Sequence, residues 1–331
     1  MSDRPILLVH GEIPQDRVAS FRALHEREGL LVARFPGARL HATRGVEDPG
    51  VPVVDVAERE VGKLAERARA VVAGTSGRVA LPAAYLAARR AKVPFVLWTA
   101  FWAHPVSPAH VASYALMRHL YRHADAVATY GEHVSAYVGA RGARNVHVAP
   151  QAVDGAWWSE GERREEGFRA VFVGRAVAEK GIDVLRDAWR RAGVDGELVV
   201  VGPGGDTGAV TPEEVRNFLA AASVLVMPSI ATRTFREPWG LVANEAMHQH
   251  VPVIATDAVG AAAGGLVRHE RNGLIVPAND AEALAAAIRR TAEDDTLRRT
   301  LGTNAGRDVA AFTPEAWAAG MAGAVESALR S

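Results

Sequence analysis

The chain is 331 residues long, 49% apolar, and carries 38 Lys and Arg against 38 Asp and Glu, with no cysteine. That length exceeds one typical hydrophobic core and predicts two domains, while the charge balance argues against a nucleic-acid-binding protein. Without cysteine there is no disulfide framework and no thiolate chemistry, which fits a reducing cytoplasm.

The N-terminus, MSDRPILLVHGE, has an apolar run too short for a signal peptide. Beyond it, short apolar runs alternate with helical patterns. Residues 5–10 (PILLVH), 30–35 (LLVARF), 51–56 (VPVVDV), 69–74 (RAVVAG), 93–98 (VPFVLW), 125–130 (DAVATY) and 145–150 (NVHVAP) read as strands. They are apolar almost throughout, as parallel strands covered on both faces must be. Helical patterns lie between them at residues 15–28, 57–69, 79–91 and 109–123. The longest uncharged stretch, 93–117, holds Pro94, Pro105 and Pro108 and reads as strand, loop and helix rather than a membrane span. Just after it, Arg118 and Arg122 stand at i and i+4 and read as a solvated helix face.

The second half repeats the pattern at 168–174 (FRAVFVG), 196–202 (GELVVVG), 223–229 (SVLVMPS), 251–257 (VPVIATD) and 273–278 (GLIVPA). Such alternation predicts α/β architecture with doubly wound parallel sheets, and two sheets in one chain predict a cleft at their carboxyl ends. The boundary is expected in APQAVDGAWWSEGERREEG, giving domains at 1–155 and 156–312. Residues 313–331 form an amphipathic helix with Thr313 as N-cap and Pro314 in first place. Splitting at residue 155 gives 19 basic and 14 acidic residues before it and 19 and 24 after it, or +5 and −5. Surface-charge scatter is the preferred explanation, with an anionic acceptor or a membrane surface as the alternative.

Two stretches carry chemistry. FREPWGLVANEAM places Glu237 in a turn and Glu245 in the second turn of the helix that follows. Pro238 and Gly240 shape the turn, and the N–H groups of Gly240 and Leu241 are donors at a positive helix end suited to an anion. VFVGRAVAEKGIDVL ends a strand at Gly174 and sets Arg175 and Lys180 in the loop before a helix. Two cations there can hold a diphosphate and stabilise it as it departs.

These stretches, together with VGPGG, FLAAASVLVMPS, PVIATDAVG and RNGLIVPANDAEAL, occur in the order found in family-4 glycosyltransferases of the GT-B fold, which the chain resembles closely over 168–290. DAVATYGEHVSAYV and VAPQAVD resemble further segments of that family. The resemblance implies two facing Rossmann-like domains with an inter-domain cleft, a first domain on the acceptor side, a second that binds the sugar nucleotide, and a final helix that crosses back to the first. It implies a retaining, metal-independent enzyme moving a sugar from a UDP- or GDP-sugar to a hydroxyl of a glycan, glycolipid or natural product, with no cofactor.

Carried over by position, Arg175 and Lys180 would contact the diphosphate, Glu237 the transferred sugar and Glu245 the ribose hydroxyls. Trp239, Gly240 and Leu241 would form the phosphate-capping turn, Gly174 would end the strand beneath it, and Val210 and Gly202 would lie near the base. In the first domain, Gly11 stands where the family has a Gly-Gly loop, and His104 is the positional match for a functional histidine, with His110 its competitor. Phe101 and Trp102 offer aromatic faces to an acceptor or a lipid interface; Trp98, on a strand, reads as core. The acidic groups Asp195-Gly196-Glu197 and Glu293-Asp294-Asp295 do not stand where a diphosphate would, so no metal is expected. Between VVVGPGG and FLAAASVLVMPS the chain lacks the helix and strand usual in the family, and base preference does not transfer.

Other classes are a sugar-nucleotide epimerase, a phosphorylase and a non-catalytic sugar-binding module. A phosphorylase needs a cofactor lysine, and Lys63, Lys92 and Lys180 are the only lysines. No G-x-G-x-x-G follows the first strand, which argues against a dehydrogenase. A cytoplasmic protein, peripheral at the inner membrane face, fits these readings.

Overall fold

The computed structural model describes residues 4–35, 46–75, 79–164 and 166–331. These fall into two compact units: Met1–Trp102, Pro108–Val153 and Thr313–Ser331 form the first, and Ala103–Ser107 with Asp154–Phe312 form the second.

In the first unit the strands are β1 (Ile6–His10), β2 (Leu30–Arg34), β3 (Val53–Asp55), β4 (Ala70–Gly74), β5 (Phe95–Thr99), β6 (Ala126–Thr129) and β7 (Val146–Val148). Its helices are α1 (Gln15–Glu28), α2 (Ala80–Ala91), α3 (Pro108–His123) and α4 (Glu132–Gly139). In the second unit they are α5 (Gly155–Ser159), α6 (Ile182–Ala192), α7 (Pro212–Ala220), α8 (Val242–His248), α9 (Gly260–Ala263), α10 (Ala281–Glu293) and α11 (Asp295–Val309), among strands β8 (Arg169–Val173), β9 (Glu197–Val201), β10 (Val224–Met227), β11 (Val253–Thr256) and β12 (Gly273–Val276). The final helix, α12 (Pro314–Arg330), is part of the first unit.

Among the described residues, every pairing between these strands is parallel. The first sheet runs β3-β2-β1-β4-β5-β6-β7 and the second β12-β11-β10-β8-β9. The apolar runs explain why. Successive side chains of a strand point to opposite faces, so a strand apolar at every position needs cover on both. Ile6 and Leu8 point to one side with Val72, Val96 and Trp98; Leu7 and Val9 point to the other with Val71, Phe95 and Leu97. Helices α1 and α12 cover the first side, through Phe21, Leu24, Trp317 and Met321. Helices α2, α3 and α4 cover the second, through Ala84, Leu120 and Val134. Trp317 is fully buried, with ring centroids 5.7 Å from Phe21 and 5.4 Å from Trp98. Thr313 accepts from the Ala316 N–H at 3.1 Å and starts α12 with Pro314 in its first turn.

One helical expectation fails in kind. Residues 57–69 hold a 3₁₀ segment, Glu58–Arg67, instead of an α-helix. Gly62 faces Ala87 of α2 so closely that a Cβ there would lie 2.5 Å from the Ala87 Cβ, so this segment packs backbone-first where a regular amphipathic α-helix would present side chains.

Candidate active site

In the second sheet the strand order reverses between β8 and β10, and ligands of open α/β sheets bind outside the carboxyl ends of strands at such a switch point. The loops that leave β8 and β10 are the two carrying the predicted charges. They touch: the Ile230 N–H donates to the Glu179 carbonyl at 3.1 Å. Gly181 makes this approach feasible, because at φ +72° an added Cβ would sit 1.9 Å from the Pro228 carbonyl oxygen.

Across that contact Lys180 Nζ donates to Glu237 Oε2. Ser229 Oγ donates to the same oxygen at 3.2 Å. The Lys180 ammonium also lies 5.5 Å from the centre of the Phe235 ring. Glu237 is only 6% exposed, so its charge is held by these donors in place of water. The Lys180 side chain keeps 21% exposure.

The backbone around Glu237 is fixed on the other side by the chain after β11. Gly260 N–H donates to the Glu237 carbonyl at 3.0 Å and Ala261 N–H to the Trp239 carbonyl at 2.8 Å. Trp239 itself is buried, and its indole Nε1 donates to Asn244 Oδ1 at 2.8 Å. Its side chain therefore braces the turn into α8. Gly240 completes that turn at φ +88°, and the first helical bond runs from Ala243 N–H to the Gly240 carbonyl at 3.0 Å. The N–H groups of Gly240 and Leu241 precede the ladder, where a helix has no internal partner for them. Because α8 starts at Val242, Glu245 belongs to its first turn, one turn earlier than the sequence pattern suggested.

The remaining predicted residues are spread more widely. Arg175 is exposed at the head of the β8 loop. Gly174 ends β8 with its N–H on the Val201 carbonyl at 2.9 Å, and Gly202 stands beside it, pairing with Gly208 in an antiparallel bridge. Val210 is half-buried just before α7. His104 lies in Ala103–Ser107, the short segment grouped with the second unit; nearby, the Val106 N–H donates to the Arg233 carbonyl at 2.7 Å, in the loop that leads to Glu237. Phe101 and Trp102 are half-buried in the first unit, Trp102 edge-on to His133 at 5.0 Å, and Trp98 is core. Ser229 and Asn244 are the residues that sequence reasoning missed. Ser229 had one signal, a small hydroxyl at the carboxyl end of a central strand.

Gly11 follows β1, and a Cβ there would meet Phe35 at an ordinary 3.8 Å, so packing does not demand glycine. Its neighbour His10 is half-buried, its ring against Phe21 and Trp98 with Arg17 nearby. Burial, reinforced by the Arg17 charge, lowers its pKa to about 4. A neutral native imidazole whose unfolded form titrates at 6.5 contributes stability that is complete above pH 6.5 and lost as pH falls towards 4. The loss should approach 3 kcal/mol, at about 1.4 kcal/mol per pH unit. Urea unfolding across that range should show a steeper acid decline for the wild type than for His10→Leu. Parallel declines would remove His10 as the cause.

Among the described residues no three His, Cys, Asp or Glu side chains gather in a way that could hold a metal ion, and no helix is long and apolar enough to cross a membrane.

Residues 167–294 match the family model described as glycosyl transferases group 1. The D-inositol 3-phosphate glycosyltransferase of Nocardioides sp. (strain ATCC BAA-499 / JS614) is 39% identical over 99 residues, 29% of this chain and 19% of that one. An uncharacterized glycosyltransferase of Methanocaldococcus jannaschii is 32% identical over 152 residues, 40% of this chain and 41% of that one. The chain thus matches less than half the length of these curated relatives. Among solved structures, Anabaena HepE in complex with UDP and glucose superposes with a TM-score of 0.75 at 19% identity, covering 96% of this chain and 98% of that one. A glycosyltransferase from Rickettsia africae ESF-5 gives 0.78 at 12% identity over the whole of both chains. At these identities the likeness is one of fold.

Proposed function

We propose, from the premise that the second unit is a glycosyl transferases group 1 domain in a chain of GT-B fold, that this protein transfers a sugar from a nucleoside diphosphate to an acceptor hydroxyl with retention of configuration. The observation that carries the reading is the Lys180–Glu237–Ser229 cluster at the β8/β10 switch point. A buried carboxylate beside the ammonium of a partly exposed lysine offers one group for a sugar with developing positive charge and another for a departing diphosphate.

In this reading Lys180 turns from Glu237 to the phosphate oxygens when donor binds, and Arg175 approaches from solvent. Ser229 keeps the carboxylate oriented while its cation is engaged elsewhere. Gly240 and Leu241 present their N–H groups to the phosphates on the turn braced by Trp239, and Glu245 accepts from the ribose hydroxyls. Gly202 and Val210 lie near the base, and Gly174 ends the strand beneath the phosphate-capping turn. These charges replace a metal. The acceptor hydroxyl attacks the anomeric carbon on the face the diphosphate leaves, and Glu237 stabilises the oxocarbenium-like sugar. His104 serves the acceptor hydroxyl or the sugar, and Phe101 and Trp102 stack on the acceptor.

A thermal-shift panel of UDP, GDP, ADP and TDP with their sugars tests the premise, with UDP-glucose first because HepE was solved with UDP and glucose. At a hundredfold excess over Kd, a true donor adds about 2.7 kcal/mol and should raise the melting temperature by about 5 °C or more. No shift with any nucleotide removes the donor site. Product from the best donor should keep the anomeric configuration and form in the presence of a chelator.

A further inference from the structure

The outer face of the first unit opposite α1 and α12 has a composition that sugar transfer does not use. Residues 79–146, which supply α2, α3 and α4, carry seven Arg and Lys but two acids, Asp125 and Glu132. Asp125 is engaged by Arg89 at 3.1 Å and by the Phe95 N–H at 2.7 Å. Arg90, Lys92, Arg118, Arg122 and Arg144 are exposed and form no ion pair among the described residues.

These cations share one face. Tyr85 pairs with His119 at 3.2 Å and Arg89 reaches the His123 carbonyl, both with a separation of 34, so α2 and α3 lie side by side in constant register. Arg122 packs against the turn at Gly142, where an added Cβ would lie 2.8 Å from its Cγ, and that turn leads to Arg144. Along the same two helices stand large exposed apolar side chains: Val79 at 49%, Leu86 at 51% and Val111 at 66%.

We propose that this face of α2 and α3 docks on a bilayer surface containing anionic phospholipid. Aliphatic side chains in water offer nothing to a soluble polyanion, whereas at the headgroup boundary they insert beside the arginines that the lipid charge attracts. Each cation near such a surface contributes roughly a fivefold gain in affinity, screened by salt.

The full chain is tested by flotation with vesicles of phosphatidylcholine alone and of phosphatidylcholine mixed with phosphatidylglycerol. Binding is expected only with phosphatidylglycerol and should weaken as salt rises. The triple variant R90E/R118E/R122E should bind on the order of 100-fold more weakly. Val111→Asp should weaken binding while leaving its salt dependence in place. Both variants change exposed side chains, and an unchanged melting temperature confirms their folding. The proposal is overturned by no binding, by equal binding to both vesicle types, or by binding that survives the triple reversal. It is equally overturned if an anionic polysaccharide, and not the vesicles, captures the chain through these arginines.

Discussion

Glu237→Ala is expected to lower kcat for sugar transfer by about 10²–10³-fold, the range seen when one preorganised electrostatic contact to a transition state is removed. The substitution deletes the acceptor of both Lys180 and Ser229. Lys180 keeps access to water and is then released from its intramolecular partner, so nucleotide affinity should hold or improve while turnover falls. That split between binding and rate distinguishes a role at the reacting sugar from damage to the fold. Glu237→Gln refines it, since the amide keeps an oxygen for Ser229 but carries no charge. Calorimetry with the donor nucleotide, paired with initial rates, reads both quantities. Near-wild-type turnover in either variant would assign the chemistry elsewhere.

Trp317→Ala should destabilise the first unit by about 3–5 kcal/mol, as expected for truncating a large aromatic in a core that cannot collapse around the gap. Trp317 lies against Phe21 and Trp98 beneath the first sheet. Its Nε1 finds no hydrogen-bond partner among the described residues, so Trp317→Phe gives up volume without breaking a polar contact and should cost less. Denaturant unfolding of the three proteins measures the order. The second unit has its own core, from Phe172 and Leu185 to Leu284 and Ile288, so nucleotide-dependent stabilisation should survive in Trp317→Ala. A loss equal to that of the wild-type chain's global unfolding would show instead that the units do not unfold separately.

The strands were legible because parallel strands buried on both faces must be apolar at nearly every position, and each run expected to be a strand overlaps one. Helical periodicity was less decisive. The pattern at 57–69 suits an α-helix, yet the close approach of Gly62 to Ala87 goes with 3₁₀ geometry, which no window of one chain segment reveals. At the site, Lys180 and Glu237 stood out because Pro and Gly punctuate their loops, but their direct pairing depends on a fit between two loops 57 residues apart. Ser229 and Asn244 were invisible for a different reason. A lone hydroxyl or amide resembles any solvated loop residue until burial shows which partner it serves. Trp239 shows the reverse: its place in the motif was plain, and only the structure reveals a side chain turned inward to hold the turn.

The membership of α12 in the first unit bears on how the chain is made. Asp154–Phe312 is continuous and complete in sequence before Thr313–Ser331 is added. A ribosome therefore delivers the whole second unit's main segment while the first sheet still lacks one of the two helices over its Phe21 and Trp98 side. During that interval the nascent first unit carries an open aromatic surface, the sort of species that chaperones hold. The first unit's sheet is thus completed on that side by a helix that follows the second unit's main segment in sequence.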